Sequence, residues 1–275
     1  MPHPRNYSGA DGCAPPRGAR VTPSVVLELY DAEMRADPPP DPGVRIERGG
    51  GVVREIGEQH TVLFADFAGT DPDAVIAEQA ARARGEGVEL VWKVYGHDRP
   101  RDLDRRLAAA GFAPGRPETL MAFDLAAGIP SVPAAAGVEA RRVASAAELA
   151  AWAEVSGESF GRDDRWRIGR YASRLTDATV ALFVAWADGR PVASARLELP
   201  PRRTIATLWG GGTLPAYRGR GVYRLLVAAR AGEARRHGYR YVVVEARDTS
   251  RPTLERIGFV PLTAVTEWAL PAAAP

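Results

Sequence analysis

Residues Arg218-Gly219-Arg220-Gly221-Val222 combine the side chains and spacing needed to hold a bulky anion. They stand between an extended, glycine-rich segment and an amphipathic helical pattern. A helix N-terminus exposes unpaired backbone N–H groups and roughly half a unit of positive charge. Glycines let that backbone approach a large anion, and arginines add charge-assisted hydrogen bonds. The chemistry this suggests is a cradle for a pyrophosphate. A basic surface turn followed by an unrelated helix would carry the same letters, so the surrounding elements decide the reading.

Those elements can be read in order through the C-terminal half. Gly137–Val143 reads as a short strand. Ser145 caps a helix with Glu148 at the capping-box position, and Leu149, Trp152, Ala153 and Val155 form one apolar face. A second helix is expected over 163–176, with Trp166, Tyr171 and Leu175 inward. Val180–Ala187 and Val192–Leu199 form a hairpin through Asp188-Gly189. Thr204–Trp209 is a strand running into Gly210-Gly211-Gly212, where missing side chains signal a bulge or close backbone approach. After Pro215 and the basic turn comes a helix to about His237, with Gly238 at its C-cap. Tyr241–Glu245 is a buried strand, Ser250–Ile257 a short helix, and Phe259–Leu270 the last strand region.

The N-terminal half echoes this order. Val52–Ile56 and Thr61–Phe67 read as strands, Asp71–Arg84 as a helix, Val88–Tyr95 as a buried strand, Arg99–Ala109 as a helix, and Thr119–Leu125 as a strand. Leu107, Gly111-Phe112 and Met121–Leu125 match Leu254, Gly258-Phe259 and Glu267–Leu270, which suggests a degenerate internal repeat. AAGIPSVPAAAG (126–137) is uncharged and rich in Ala, Gly and Pro, as a linker is. Residues 1–23 show no period and read as a disordered tail. The expected organisation is therefore tail 1–23, domain 24–125, linker 126–136 and domain 137–275, in the α+β class.

Composition narrows the function. A formal net charge of +2 gives no electrostatic case for nucleic acid. Lys93 is the only lysine among 36 basic residues, so arginine supplies nearly all the positive charge. Cys13 stands alone, which excludes an internal disulfide and fits a reducing cytoplasm. No apolar run approaches a bilayer span, and no secretory signal is visible. His60 and His97 have no partner at ligand spacing, so no metal is expected.

With TLPAYRGRGVY (213–223), the helix behind it, YVVVEA (241–246) and LERIGF (254–259) in this order, the C-terminal half resembles the GNAT superfamily of N-acetyltransferases. The family pattern is Arg/Gln-x-x-Gly-x-Gly/Ala. Arg218, Gly219, Arg220 and Gly221 fit it, while Tyr223 replaces the small final residue. The resemblance implies two splayed central strands with acetyl-CoA between them. Its phosphates would lie on Arg218, Gly219, Arg220, Gly221, Val222 and Tyr223, and its pantetheine arm beside the backbone of Gly212, Thr213 and Leu214. It implies N-acetylation of a primary amine on a small molecule or peptide. The glycine run leaves room for the arm, and Trp209 beside it is a candidate to line the acceptor pocket.

The family's strand carboxylate is missing from Thr204–Thr213. Glu198 and Glu245 are the substitutes, with Glu245 preferred for its place near the end of the presumed splayed strand. The family's tyrosine acid falls on Leu254, leaving Tyr217, Tyr223, Ser250 or water. In the N-terminal half the equivalent stretch, Ala68–Asp73, is acidic, so that half is expected to bind no cofactor and instead to shape the acceptor site. A non-catalytic acetyl-CoA-binding module is the alternative. Other nucleotide-binding classes lack their signatures: there is no Gly-Lys-Ser/Thr and no Gly-x-Gly-x-x-Gly.

Overall fold

The computed structural model describes residues 22–40, 43–57, 59–133 and 135–272. The tail reading for 1–23 falls almost wholly outside these residues. Among them, twelve strands join in one mixed, mostly antiparallel sheet flanked by helices, an α+β architecture. The strands are β1 (Arg45–Gly49), β2 (Val52–Ile56), β3 (His60–Ala65), β4 (Leu90–Tyr95), β5 (Ala113–Pro114), β6 (Glu118–Asp124), β7 (Val138–Arg142), β8 (Val180–Ala187), β9 (Arg190–Glu198), β10 (Ile205–Thr213), β11 (Tyr241–Ala246) and β12 (Val260–Leu270). The helices are α1 (Pro23–Tyr30), α2 (Pro72–Glu86), α3 (Leu103–Ala109), α4 (Ala146–Phe160), α5 (Arg167–Ala172), α6 (Val222–Arg236) and α7 (Arg251–Arg256).

Local chemistry explains most of the boundaries. Ser145 and Glu148 form the full capping box of α4. Asp188 and Gly189 both have positive φ, the geometry a two-residue hairpin turn requires between β8 and β9. Gly238 follows α6 at φ 85°, and the Tyr239 amide returns to the Ala234 carbonyl. The expected helix over 163–176 shrinks to Arg167–Ala172. Trp166, expected inward, is 52% exposed, with the Arg167 guanidinium 5.2 Å from its ring centre. It sits ahead of the helix, where no apolar face has yet formed. Tyr171 is buried against Trp152 as expected.

The strand order is β1-β2-β3-β4-β12-β6-β11-β10-β9-β8-β7. The last strands of the two halves are exchanged. β6 pairs with β11 over six residues, from Tyr241 opposite Asp124 to Ala246 opposite Thr119. β12 pairs with β4, from Val265 opposite Tyr95 to Leu270 opposite Leu90. The repeated segments seen in the sequence fall on matching elements: Gly111 and Gly258 end α3 and α7 at φ 95° and 98°, and buried Phe112 and Phe259 follow them.

Strand alternation separates two faces. On one, α6 covers Ala193, Ala195, Leu197, Ala206, Leu208, Val242 and Val244. On the other, α4 and α5 cover Val180, Leu182 and Val184, and α1 covers Ile205, Tyr241, Val243 and Leu120. Because each half supplies a strand to the other's side of the sheet, we expect one cooperative thermal unfolding transition for the full-length chain by scanning calorimetry. Two well-separated transitions would contradict the exchange.

Candidate active site

β10 and β11 run parallel and pair only at Ile205–Tyr241, Ala206–Val242 and Thr207–Val243. Beyond Thr207 they part. β10 keeps to β9 through a bulge between Trp209 and Gly212, while β11 keeps to β6. A groove of about 1230 Å³ passes through the gap. On the α6 face it is lined by the Arg218–Arg224 region, Ser250 and Thr253. On the opposite face Trp209, Glu245, Arg167 and Arg196 line it.

The basic turn sits at the start of α6. Gly219 and Gly221 have φ of 76° and 85°, a left-handed backbone that other residues adopt only under strain. Among the described residues, no hydrogen bond of good geometry uses the amides of Gly219, Arg220, Gly221 or Val222. These donors lie at the positive end of the helix dipole. The Arg218 side chain donates to the Thr213 carbonyl at 3.0 Å, and Arg220 lies over the Tyr217 ring.

The glycine run is more crowded than the sequence suggests. A side chain on Gly211 would meet the Tyr223 ring at 2.8 Å, and one on Gly212 would meet Ser159 Cβ at 2.7 Å. The room left by the missing side chains is thus filled by Tyr223 on one face and α4 on the other. The Leu214 amide donates to the Val192 carbonyl, so β9 already uses it. Tyr223 turns inward: burial raises its hydroxyl pKa, partly offset by nearby Arg230 and a hydrogen bond with Ser250. Arg230, 1% exposed, donates to the carbonyls of Leu226, Arg196 and Trp209. Burial without a carboxylate partner pushes its guanidinium pKa down to about 10. Leu254, at the family's tyrosine position, is fully buried.

The carboxylates differ in setting. Glu245 lines the groove with its side chain 8% exposed. Both its oxygens accept from Lys93 Nζ at 2.7 Å, and Oε1 also accepts from the Tyr95 hydroxyl at 3.1 Å and the Tyr30 hydroxyl at 3.4 Å. Glu198 instead accepts from Thr207 and pairs with Arg196. Glu118, from β6, lines the groove with Arg247 beside it at 3.1 Å. Burial raises the Glu118 pKa, Arg247 counters this, and Glu245 and Glu267 add to the rise.

Sequence reasoning singled out the basic turn and Glu245, both of which line the groove, but did not single out Lys93, Tyr30, Tyr95 and Glu118, all from the N-terminal half. The visible signal was Lys93 itself, the one lysine in an arginine-rich chain. His237 stands 3.3 Å from Glu233 at the end of α6, away from the groove. Among the described residues no cluster of His, Cys, Asp or Glu is suited to a metal, and no helix is long and apolar enough to cross a membrane.

The buried Lys93–Glu245 pair is testable. Burial alone would lower the Lys93 pKa, but Glu245, helped by Tyr30 and Glu267, outweighs it and the pKa is raised. Burial raises those of Tyr30 and Tyr95 as well. Groups with raised folded-state pKa values stabilise fully below their unfolded values, about 10 to 10.4, and lose that contribution as pH climbs further. Stability measured by denaturant melts should therefore fall above about pH 10. Lys93→Met should cost about 3–5 kcal/mol, because it strands a buried carboxylate, and adding Glu245→Gln should recover much of this. A single variant as stable as the parent would contradict the pairing.

Comparison with known proteins follows the same division. Residues 146–259 match the sequence model of the Acetyltransferase (GNAT) family. No curated protein matches the chain. Similar solved structures include a GCN5-related N-acetyltransferase from Kribbella flavida, with a TM-score of 0.66 and 20% identity, covering 92% of this chain and 95% of that one. A tandem GNAT protein from the clavulanic acid biosynthesis pathway, solved without AcCoA, has a TM-score of 0.62 and 18% identity over 92% of this chain and 95% of its own. A GCN5-related N-acetyltransferase from Sphaerobacter thermophilus has a TM-score of 0.59 and 19% identity, over 81% and 77%. At these identities the likeness speaks for the fold. The sequence match spans most of the half that carries the basic turn, and that half is similar in sequence to the acetyltransferase (GNAT) family.

Proposed function

We propose that the protein is an N-acetyltransferase that moves an acetyl group from acetyl-CoA to a primary amine, acting in the cytoplasm. The observation that carries this is the set of unbonded amides from Gly219 to Val222 opening onto a groove between parted strands. These amides hold the diphosphate, and Arg218 and Arg220 add charge to it. Gly212, Thr213 and Leu214 flank the path of the pantetheine arm. Acetyl-CoA supplies an activated acyl carbon as a thioester.

The chain's own residues then position the acceptor and move protons. In the reaction an N–C bond forms and a C–S bond breaks. Starting from the ammonium, the nitrogen loses two protons: one passes through the base to solvent before attack, and the loss of the second balances the proton gained by the departing sulfur. A free alkyl amine has a pKa of about 10.4, so a carboxylate must take its proton. Glu245 is assigned that role. Lys93 and the two tyrosines fix its orientation and leave Oε2 with one donor, so that oxygen can still accept from an amine or water. A second reading gives the role to Glu118, favoured by its raised pKa beside the groove. Tyr223 is assigned as proton donor to the sulfur, since its inward, buried hydroxyl stands where Leu254 offers none. The N-terminal half is assigned no cofactor, and it furnishes Lys93 and Glu118 to the acceptor side.

Calorimetry with acetyl-CoA tests the cradle. Arg218→Ala and Arg220→Ala should each weaken binding by roughly ten- to a hundredfold, the worth of a charge-assisted hydrogen bond. Unchanged affinity, or no binding by the parent, would refute it. With thiol release as the assay, Tyr223→Phe should lower kcat by about a hundredfold with little effect on KM. Glu245→Gln should abolish the acidic limb of the pH–rate profile; if only Glu118→Gln does so, the base is Glu118.

A further inference from the structure

The acceptor side of the groove carries a wall rich in arginine and, facing it, a wall on which carboxylates stand beside their own cations. On the α4–α5 side stand Arg162, Arg167 and Arg196. Arg162 and Arg167 share one carboxylate: their Nε atoms lie 2.9 and 3.2 Å from Asp164 Oδ1. Asp164 is 1% exposed and also accepts from Ser156. Arg196 reaches the same wall through Tyr171 and pairs with Glu198 at 3.1 Å. The segment that bears Asp164 is packed tightly, since a side chain on Gly157 would lie 2.6 Å from the Arg162 carbonyl.

Three guanidiniums here face two carboxylates, Asp164 and Glu198, so the wall keeps a surplus positive charge. Burial lowers the Arg167 pKa, and repulsion from Arg162 and Arg196 lowers it further despite Asp164. Its Nε is enclosed and lacks hydrogen-bond geometry to Asp164. In the same groove, Ser159 Oγ and Thr213 Oγ1 are enclosed polar atoms without a hydrogen-bond partner among the described residues, and both residues line it. Buried polar groups of this kind call for a partner.

The opposite wall presents the carboxylates of Glu245, Glu118 and Glu267. Trp209 lies between the two. Its ring centre is 5.7 Å from the Arg196 guanidinium carbon and 5.6 Å from Lys93 Nζ, which holds Glu245. The two cations are therefore no more than about 11 Å apart, within reach of one small molecule.

We propose that the acceptor is a small amine bearing a carboxylate, with the carboxylate docked on Arg167 and Arg196 and the amino group directed across Trp209 to Glu245. A plain amine would leave the enclosed Arg167 Nε and the surplus guanidinium charge without an acceptor, whereas a molecule carrying both an amine and a carboxylate reaches both walls at once. The inference rests on the acetyl-transfer reading for its chemistry, but the recognition it describes is a matter of binding.

The test pairs each common amino acid with its decarboxylated amine, such as phenylalanine with phenethylamine and lysine with cadaverine. Binding to the full-length protein is measured by calorimetry with and without CoA, and thiol release is measured with acetyl-CoA. At least one amino acid should exceed its partner by about tenfold or more, as loss of a charge-assisted contact predicts. Arg167→Gln should erase that margin while leaving acetyl-CoA affinity unchanged, and Arg167→Lys should restore part of it. Equal or better performance by the decarboxylated partners, or no engagement by any amino acid, overturns the proposal. If acetyl-CoA itself fails to bind, the transfer reading falls instead, and the cofactor-free binding comparison still decides this one.

Discussion

The parting of β10 from β11 is the constraint on which the site depends. The two strands share only three residue pairs before each follows its other neighbour. β11 is held along its whole length by β6, a strand donated by the N-terminal half. β10 is held by β9, and the bulge between Trp209 and Gly212 lets it bend while keeping that pairing. The groove thus lies between a strand paired within the C-terminal half and a strand paired to one from the N-terminal half.

The same exchange brings buried charge into the site. Lys93 on β4 crosses to Glu245 on β11, and both side chains are 8% exposed. Such a pair is a weak source of net stability, because two desolvation costs oppose the attraction. Its consequence is positional. With Tyr30 and Tyr95 also donating to Glu245, the carboxylate is fixed at the mouth of the gap. Arg230 plays a comparable part on the other face, where it ties the carbonyls of Arg196 and Trp209 at the bulge. One buried cation on each face therefore braces a strand beside the gap.

Much of this was legible in the sequence because it is local. The basic turn and the helix it precedes are contiguous in the chain, so glycine spacing and helical periodicity suffice to find them. The capping box of Ser145 and the hairpin at Asp188-Gly189 are equally local. What escaped was long-range pairing. Alternation of apolar residues in Met121–Leu125 and Val260–Leu270 marks strands, yet it carries no record of which neighbour each will take. Lys93 was conspicuous as the sole lysine, but its partner lies 152 positions away. Trp166 was misplaced because helical spacing was extended past the real start of α5. The glycine run was read as open space, whereas Tyr223, the residue that departs from the family pattern, fills part of it.

The central claim concerns a few backbone N–H groups, so the most direct measurement observes them. In amide-resolved NMR of the full-length protein, saturating acetyl-CoA should shift the resonances of Gly219, Arg220, Gly221 and Val222 and slow their hydrogen exchange. Amides elsewhere on the N-terminal half, at Ala68–Asp73, should stay as they were. If acetyl-CoA binds while the resonances and exchange rates at the start of α6 remain those of the free protein, the account of this site is wrong.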